Sequence, residues 1–207
     1  MRVLLTCLSE SRRCPRLVRL LPYLAAHDVC VIDTLGTPAW QIQAKSLATR
    51  AGALLRIWTQ SKRHAEAYLG RRIALQPGDQ VPDSFDVVIS FDLLLLPFLF
   101  KHFPGARIVL DAREWYPGQF TNSLKWRLTW GRQYHLLCRR YLRRVAALTT
   151  VSAGLAKLYR RGYGVTGEVL HSYCEASGLG PSPVGAPIRL VHHGNATRHR
   201  SLENMIE

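Results

Sequence analysis

Polar side chains that can bind a hydroxyl group or an anion directly follow several short apolar runs of the sequence. The residues with this placement are Arg12, Arg13, Asp92, Asp111, Arg113, Glu114 and Ser152. If the apolar runs are parallel strands, their carboxyl ends meet at one edge of a sheet, and ligands bind in the crevice beyond that edge. Carboxylates there can orient a hydroxyl group, and arginines can bind a phosphate. The sequence therefore predicts a binding site at that edge.

A structural role stays open for each of these residues. A carboxylate after a strand often caps the next helix or holds a neighbouring arginine, which is the alternative for Asp111 and Glu114. Asp92 precedes a Leu-rich segment that we expect it to cap, although it can also orient a hydroxyl group. Arg12 and Arg13 fit a solvated loop as well as an anion site. Ser152 is placed to cap the helix that follows it.

The elements that position these residues alternate along the chain. Apolar runs at 2–8, 29–33, 86–90, 107–111, 147–151, 168–171 and 188–193 are nearly continuous, as expected for strands covered on both faces. Helical spacing of apolar residues occurs at 15–26, 38–58, 62–73, 123–145 and 153–161. This alternation predicts an α/β fold with a Rossmann-like, doubly wound, mostly parallel sheet.

Glycine and proline divide the chain into unequal parts. The stretch 176–187 contains three glycines and three prolines, and it predicts a linker. We therefore expect a domain at 1–175, the linker at 176–187, and at 188–207 the first strand and the start of the first helix of an incomplete second Rossmann-like domain. A total of 207 residues is long for one α/β domain and short for two.

Charge points to an anionic partner. Lysine and arginine number 28 against 14 acidic residues, which gives a net charge of +14. The basic amphipathic pattern at 123–145 could lie on an anionic membrane, or it could pack on the sheet with a solvated basic face. Because no helix-turn-helix, zinc or RNA-binding signature occurs, we expect no specific nucleic-acid binding, and charge-driven binding remains the alternative.

Cysteine usage and hydropathy suggest a cytoplasmic protein. The five cysteines lack a CxxC pair, so neither a disulfide framework nor a zinc site is indicated, and no metal-ligand cluster stands out. The apolar run at 93–100 is too short to span a bilayer, and the N-terminus lacks the features of a signal peptide. No GxGxxG follows the first apolar run, which argues against a dinucleotide-dependent oxidoreductase.

From residue 85 onward the order of motifs becomes specific. The segments FDVVISFD, ARIVLDAREWYP, a long basic helix, ALTTVSAGLAKLYRRGYG and EVLHSYCE follow one another. This order resembles the N-terminal domain of family 4 retaining glycosyltransferases of the GT-B fold. That family has an Asp-x-His-Glu-like motif and a Val-Ser-x-x-Leu turn, which correspond here to 111–114 and 151–155. Arg113 stands in place of the usual histidine, and 9–13 replace the family's glycine-glycine loop.

The resemblance implies a function and assigns acceptor binding and donor binding to different domains. It implies a domain that binds a saccharide or lipid-linked acceptor, as part of an enzyme that transfers a sugar from a nucleotide-sugar donor in surface polysaccharide or glycan synthesis. The donor's phosphates would approach Gly194 and Arg200 in the second domain, without a cofactor or metal. The chain alone is then expected to bind an acceptor without transferring sugar, peripherally on the cytoplasmic membrane face. A non-catalytic acceptor- or partner-binding module is the alternative.

Overall fold

The structure is a computed structural model that describes residues 1–33, 40–42, 73–75, 81–173, 178, 180 and 183–189. At 40–42, 73–75, 125 and 129 only the backbone is described. The chain divides into two compact units, Met1–Ser172 and Tyr173–Glu207. Of the predicted strand at 188–193 only Ile188 and Arg189 are described, and neither lies in a strand. The first unit contains the sheet and the candidate site.

A six-stranded sheet, parallel throughout, forms the centre of the first unit. Its strands are β1 (Arg2–Thr6), β2 (Asp28–Ile32), β5 (Val87–Ser90), β6 (Arg107–Ala112), β7 (Ala147–Thr150) and β8 (Glu168–Val169), in the order β2-β1-β5-β6-β7-β8. Each lies within a predicted apolar run or differs from it by one residue at an end. The predicted α/β fold with a Rossmann-like parallel sheet is thereby confirmed.

Helices cover both faces of this sheet. On one face lie α2 (Leu96–His102), α4 (Arg132–Tyr141) and α5 (Ala153–Tyr163), whose buried side chains pack with Leu4, Val88 and Leu110. On the other face α1 (Pro15–Leu20) contributes Leu17, which packs with Val3 and Leu5. Coverage of both faces explains why the strands are continuously apolar, since side chains on either side of the pleat are buried.

Two predicted helices are shorter or interrupted. The helix predicted at 15–26 ends at Leu20, and Leu21–Leu24 continue as a 3-10 turn. Pro22 explains the change because its nitrogen has no hydrogen to donate to the carbonyl four residues earlier. The helix predicted at 123–145 consists of α3 (Leu124–Trp126), a π-helical segment Arg127–Gly131, α4 and a final 3-10 turn Leu142–Arg144.

The prediction of a helix at 38–58 is wrong for residues 40–42. Trp40–Ile42 form strand β3, which pairs antiparallel with β4 (Ile73–Leu75) in a separate two-stranded sheet. β4 also includes the last residue of the helix predicted at 62–73. Helical spacing of apolar residues cannot reveal pairing with a segment thirty residues away, because pairing is a tertiary contact. Residues 43–58 and 62–72 lie outside the described residues.

Candidate functional site

The sheet order places a topological switch point between β1 and β5. The chain leaves β1 towards β2 on one side and later returns to β5 on the other, so the direction of winding changes between these strands. In open α/β sheets this switch point is where ligands bind, beyond the carboxyl ends of the strands. We call this place the crevice, formed by Cys7–Ser11 after β1 and by Phe91 and Asp92 after β5.

Two carboxylates hold the loop that lines the crevice. The Leu8 amide donates to Asp92 Oδ2 at 2.7 Å, and the Ser11 amide donates to Asp33 Oδ2 at 2.6 Å. Asp33 directly follows β2 and is buried. Because the two carboxylates come from the strands on either side of β1, the loop is fixed to both neighbours. Hydrogen bonds of this charge-assisted kind are stronger than those between neutral groups.

Asp92 does not cap the helical segment after it, contrary to prediction. It occupies the N-cap position before the 3-10 turn Leu93–Leu95, but its side chain makes no capping hydrogen bond. The carboxylate turns instead to the Leu8 amide, which the loop after β1 presents directly opposite. Among the described residues, Oδ1 of Asp92 accepts no hydrogen bond. One oxygen of this partly buried carboxylate therefore has no hydrogen-bond donor in the described part of the chain.

Opposing influences act on the pKa of Asp92, and their net effect is to raise it. Burial raises the pKa of the Asp92 carboxyl, and the nearby Glu114 adds to this effect. The Leu8 hydrogen bond and the Arg113 guanidinium oppose it. For Arg113, burial lowers the pKa, but Asp92 and other nearby groups outweigh burial and raise it. The guanidinium consequently stays charged beside the carboxylate.

Arg113 brings its charge from the end of β6 to the crevice. Its Nη2 donates to the Phe91 carbonyl at 3.4 Å, and its Nη1 lies 3.8 Å from Cys14 Sγ. The Tyr116 hydroxyl also donates to the Phe91 carbonyl, at 3.4 Å. Arg113 makes no ion pair within 4 Å of Asp92 or any other carboxylate in the described part of the chain. Its charge can therefore act on a bound anion.

Arg113 contacts the buried thiol of Cys14, which interacts with the buried thiol of Cys7. A hydrogen bond with Cys7 lowers the pKa of Cys14, aided by the Leu17 amide and Arg113 and opposed by burial. The Cys7 thiol also lies 3.1 Å from the Ser9 carbonyl, so its single proton has two competing acceptors. The Arg113 cation beside Cys14 favours the Cys14 thiolate whichever acceptor takes that proton.

The Asp111 carboxylate forms an ion pair with a buried arginine. Arg16 of α1 donates Nε and Nη2 to the two carboxylate oxygens, and Thr149 Oγ1 donates to Oδ1 at 2.6 Å. Arg16 Nη1 also donates to the Leu170 carbonyl at 2.8 Å. Both side chains of the ion pair are buried. In this arrangement Asp111 joins α1 to the sheet, as its alternative role anticipated.

The other predicted residues lie around the same edge. Glu114 is exposed and accepts a hydrogen bond from Gln119 Nε2. Arg12 and Arg13 are 86% and 82% exposed and both pair with Glu10, at 2.6 and 2.9 Å. Exposed pairs of this kind contribute little stability and leave the arginines accessible.

Ser152 caps α5, as predicted. Its Oγ accepts the Leu155 amide at 3.3 Å. Gly194 and Arg200 lie outside the described residues.

Sequence reasoning missed Asp33, Arg16, Cys14 and Tyr116. Asp33 ends the predicted strand at 29–33, so the rule that selected Asp92 would also have selected it. Nothing local distinguishes Arg16 from the other basic residues of the chain, because its partner is 95 positions away. The contacts of Cys14 and Tyr116 likewise depend on the folded sheet.

A shallow cavity of about 420 Å³ lies at the opposite, amino edge of the sheet. It is lined by Met1, Arg2, Asp28, Ser84, Phe85 and Asp86. Asp28 and Asp86 both bind Arg2 there, Asp28 through an exposed ion pair. Because these polar groups are already paired and the position is away from the switch point, we place the candidate site in the crevice.

Within the described residues there is no group of three or more metal-ligating side chains and no helix long and apolar enough to cross a bilayer. Comparisons with models of known protein families and with functionally curated proteins find no match.

Proposed function

We propose that this chain provides the acceptor-binding side of a GT-B-type glycosyltransferase. The observation that carries the proposal is the Asp92 carboxylate at the switch point, which holds the loop after β1 through one oxygen and leaves the other available. The order of motifs from residue 85 onward, which includes Asp92 itself, also supports it. The enzyme would transfer a sugar from a nucleotide sugar to a saccharide or lipid-linked acceptor, in surface polysaccharide or glycan synthesis.

The chemistry of glycosyl transfer suits the groups in the crevice. The reaction needs a positioned acceptor hydroxyl and a stabilised diphosphate leaving group. Asp92 Oδ1 would accept a hydrogen bond from the acceptor hydroxyl. A carboxyl with a raised pKa is also a better proton acceptor near neutral pH than an ordinary one. Arg113 would bind an anionic group of the acceptor, such as a phosphate or carboxylate.

The donor side is a separate part of the proposal. Gly194 and Arg200 remain the predicted neighbours of the donor's phosphates, in a turn where a glycine lets backbone amides approach the anion. Basic side chains would stabilise the diphosphate in place of a metal. We accordingly expect acceptor binding at the crevice to be independent of a nucleotide sugar.

A binding and transfer assay tests this function. The purified chain is offered saccharides and lipid-linked saccharides, with and without radiolabelled nucleotide sugars. We expect at least one saccharide class to bind equally well in both cases. Absence of any saccharide binding would contradict the acceptor role, whereas binding only in the presence of a nucleotide sugar would contradict an acceptor site that is formed by the crevice alone.

A further inference from the structure

Two cysteines stand at the two ends of the loop that leads from β1 to α1 and lines the crevice. Cys7 directly follows β1, and Cys14 directly precedes α1. Both are free thiols, and both side chains are completely buried in the apolar cluster that also contains Leu17 and Phe91. The acceptor chemistry proposed for the crevice uses neither of them, although a thiolate is a strong nucleophile.

The conformation of this loop brings the two cysteines together. An extended chain between them would hold their backbones about 23 Å apart. Instead, Ser11–Arg13 form a 3-10 turn, and the Cys14 amide donates to the Ser11 carbonyl at 3.0 Å. The Cys7 and Cys14 thiols interact through a hydrogen bond. Because the sulfur atoms are already neighbours, a covalent bond between them requires only a short movement of the side chains.

The two thiols differ in their surroundings. Arg113 Nη1 lies 3.8 Å from Cys14 Sγ, whereas Cys7 Sγ lies 3.1 Å from the Ser9 carbonyl. The hydrogen bond with Cys7 is the main cause that lowers the pKa of Cys14, and Arg113 adds to it while burial opposes it. The same hydrogen bond and burial raise the pKa of Cys7. Cys14 is therefore the sulfur suited to attack an electrophile, and Cys7 is the neighbour that retains its proton.

We propose that Cys7 and Cys14 are a redox-sensitive pair, joined by a reversible disulfide when a small hydroperoxide oxidises Cys14. The Cys14 thiolate attacks one peroxide oxygen, the O–O bond breaks, and the other oxygen leaves with the electron pair and takes a proton from water. Cys7 then attacks the sulfur of the Cys14 sulfenic acid. The S–S bond forms, and the sulfenic hydroxyl leaves with the Cys7 proton as water. The two electrons lost by the sulfurs reduce the peroxide, and a dithiol reverses the reaction by thiol–disulfide exchange.

Burial of both sulfurs restricts the oxidant to a small molecule. The loop that joins the cysteines is at the surface, since the Arg12 and Arg13 side chains are 86% and 82% exposed. A local opening of this loop admits hydrogen peroxide, which is close to water in size, whereas glutathione disulfide requires an accessible sulfur. The disulfide closes covalently the loop that Asp92 and Asp33 hold by hydrogen bonds. This inference does not depend on which ligand the crevice binds.

Peptide mapping tests the proposal. The folded chain is treated with hydrogen peroxide or with glutathione disulfide, then unfolded in iodoacetamide and digested with trypsin. Because trypsin cleaves after Arg12 and Arg13, the disulfide appears as two peptides that remain joined until dithiothreitol is added. We expect this joined product with hydrogen peroxide, and no glutathione adduct on either cysteine. Cys138 is also buried, but burial raises its pKa, so it should remain free and alkylated.

Variants separate this chemistry from general oxidation. Arg113→Gln removes the cation beside Cys14 and should slow disulfide formation about threefold. Arg107→Gln changes an exposed arginine at the other end of the same strand and should leave the rate unchanged. Cys7→Ala should stop the reaction at the Cys14 sulfenic acid, which dimedone traps after unfolding.

Three outcomes would overturn the proposal. The first is full alkylation of both Cys7 and Cys14 after peroxide treatment of the unchanged chain, which needs no variant to fold. The second is a glutathione adduct on Cys14 that forms as fast as the disulfide. The third is oxidation of Cys138 at the same rate as Cys14, which would indicate oxidation without selection by the loop.

Discussion

Asp92 Oδ2 accepts the Leu8 amide at 2.7 Å and thereby joins the end of β5 to the loop after β1 across the switch point. The two residues are 84 positions apart in the sequence. The contact fixes the loop that lines the crevice and orients the carboxylate whose other oxygen would meet an acceptor. It is thus the structural basis of the proposed site.

The raised pKa of Asp92 predicts a pH-dependent stability. Because the folded state favours the protonated carboxyl, this contribution is fully present below the unfolded pKa of about 3.9 and is lost as pH rises through the folded value. The stability of the unchanged chain relative to Asp92→Asn should therefore fall as pH rises above about 4. Urea unfolding between pH 3 and 7 measures this difference. A relative stability that rises with pH would mean that the folded pKa is lowered.

The Arg16–Asp111 ion pair should be the most sensitive polar contact between α1 and the sheet. Asp111→Ala leaves a buried guanidinium without its carboxylate, so we expect a loss of about 3–5 kcal/mol in the free energy of unfolding. Arg16→Met/Asp111→Leu should recover much of that loss, since no buried charge remains. Asp28→Ala, which removes an exposed ion pair, should cost about 1 kcal/mol or less. Equal losses in Asp111→Ala and Asp28→Ala would refute this ranking.

Gly164 ends α5 in a left-handed conformation. Its φ is 68°, its amide donates to the Arg160 carbonyl, and an added Cβ would lie 3.1 Å from Arg143 Nη2. Gly164→Ala should destabilise the protein by about 1–2 kcal/mol. At Gly105 an added Cβ meets nothing within 4 Å and φ is not left-handed, so Gly105→Ala is the matched control with little expected change. Thermal unfolding of the two variants provides the comparison.

Ser152→Ala separates helix capping from acceptor binding. The lost hydrogen bond to the Leu155 amide should cost about 1 kcal/mol of stability. Saccharide affinity should stay within twofold of the unchanged chain, because the hydroxyl already serves the helix. A tenfold loss of affinity without a loss of stability would instead place Ser152 in the acceptor site.

The sequence predicts the sheet well because both of its faces are covered. β1 and β6 contain the apolar runs Val3–Leu5 and Ile108–Leu110, and such runs bounded by polar residues leave little choice of strand position. The cap at Ser152 is also local, since its partner is three residues away. By contrast, Asp92 precedes a helical segment yet binds a distant amide. No local pattern distinguishes these two uses of a carboxylate.

Other features depend on tertiary contacts that a single sequence does not display. The π segment at Arg127–Gly131 interrupts a pattern that fits one continuous helix. Within this segment a Cβ on Gly131 would lie 2.8 Å from the Trp126 ring, which explains the glycine once the fold is known. Likewise, strands β3 and β4 depend on pairing across a long separation.

The central claim is that the crevice beside Asp92 binds a saccharide acceptor, and saccharide affinity across two matched pairs of variants tests it most directly. Asp92→Asn and Arg113→Gln change the carboxyl ends of β5 and β6, whereas Asp86→Asn and Arg107→Gln change the amino ends of the same strands. The account predicts at least a tenfold loss of affinity in the first pair and less than a twofold change in the second. Equal affinity in all four variants, or a loss confined to the amino-end pair, would contradict it.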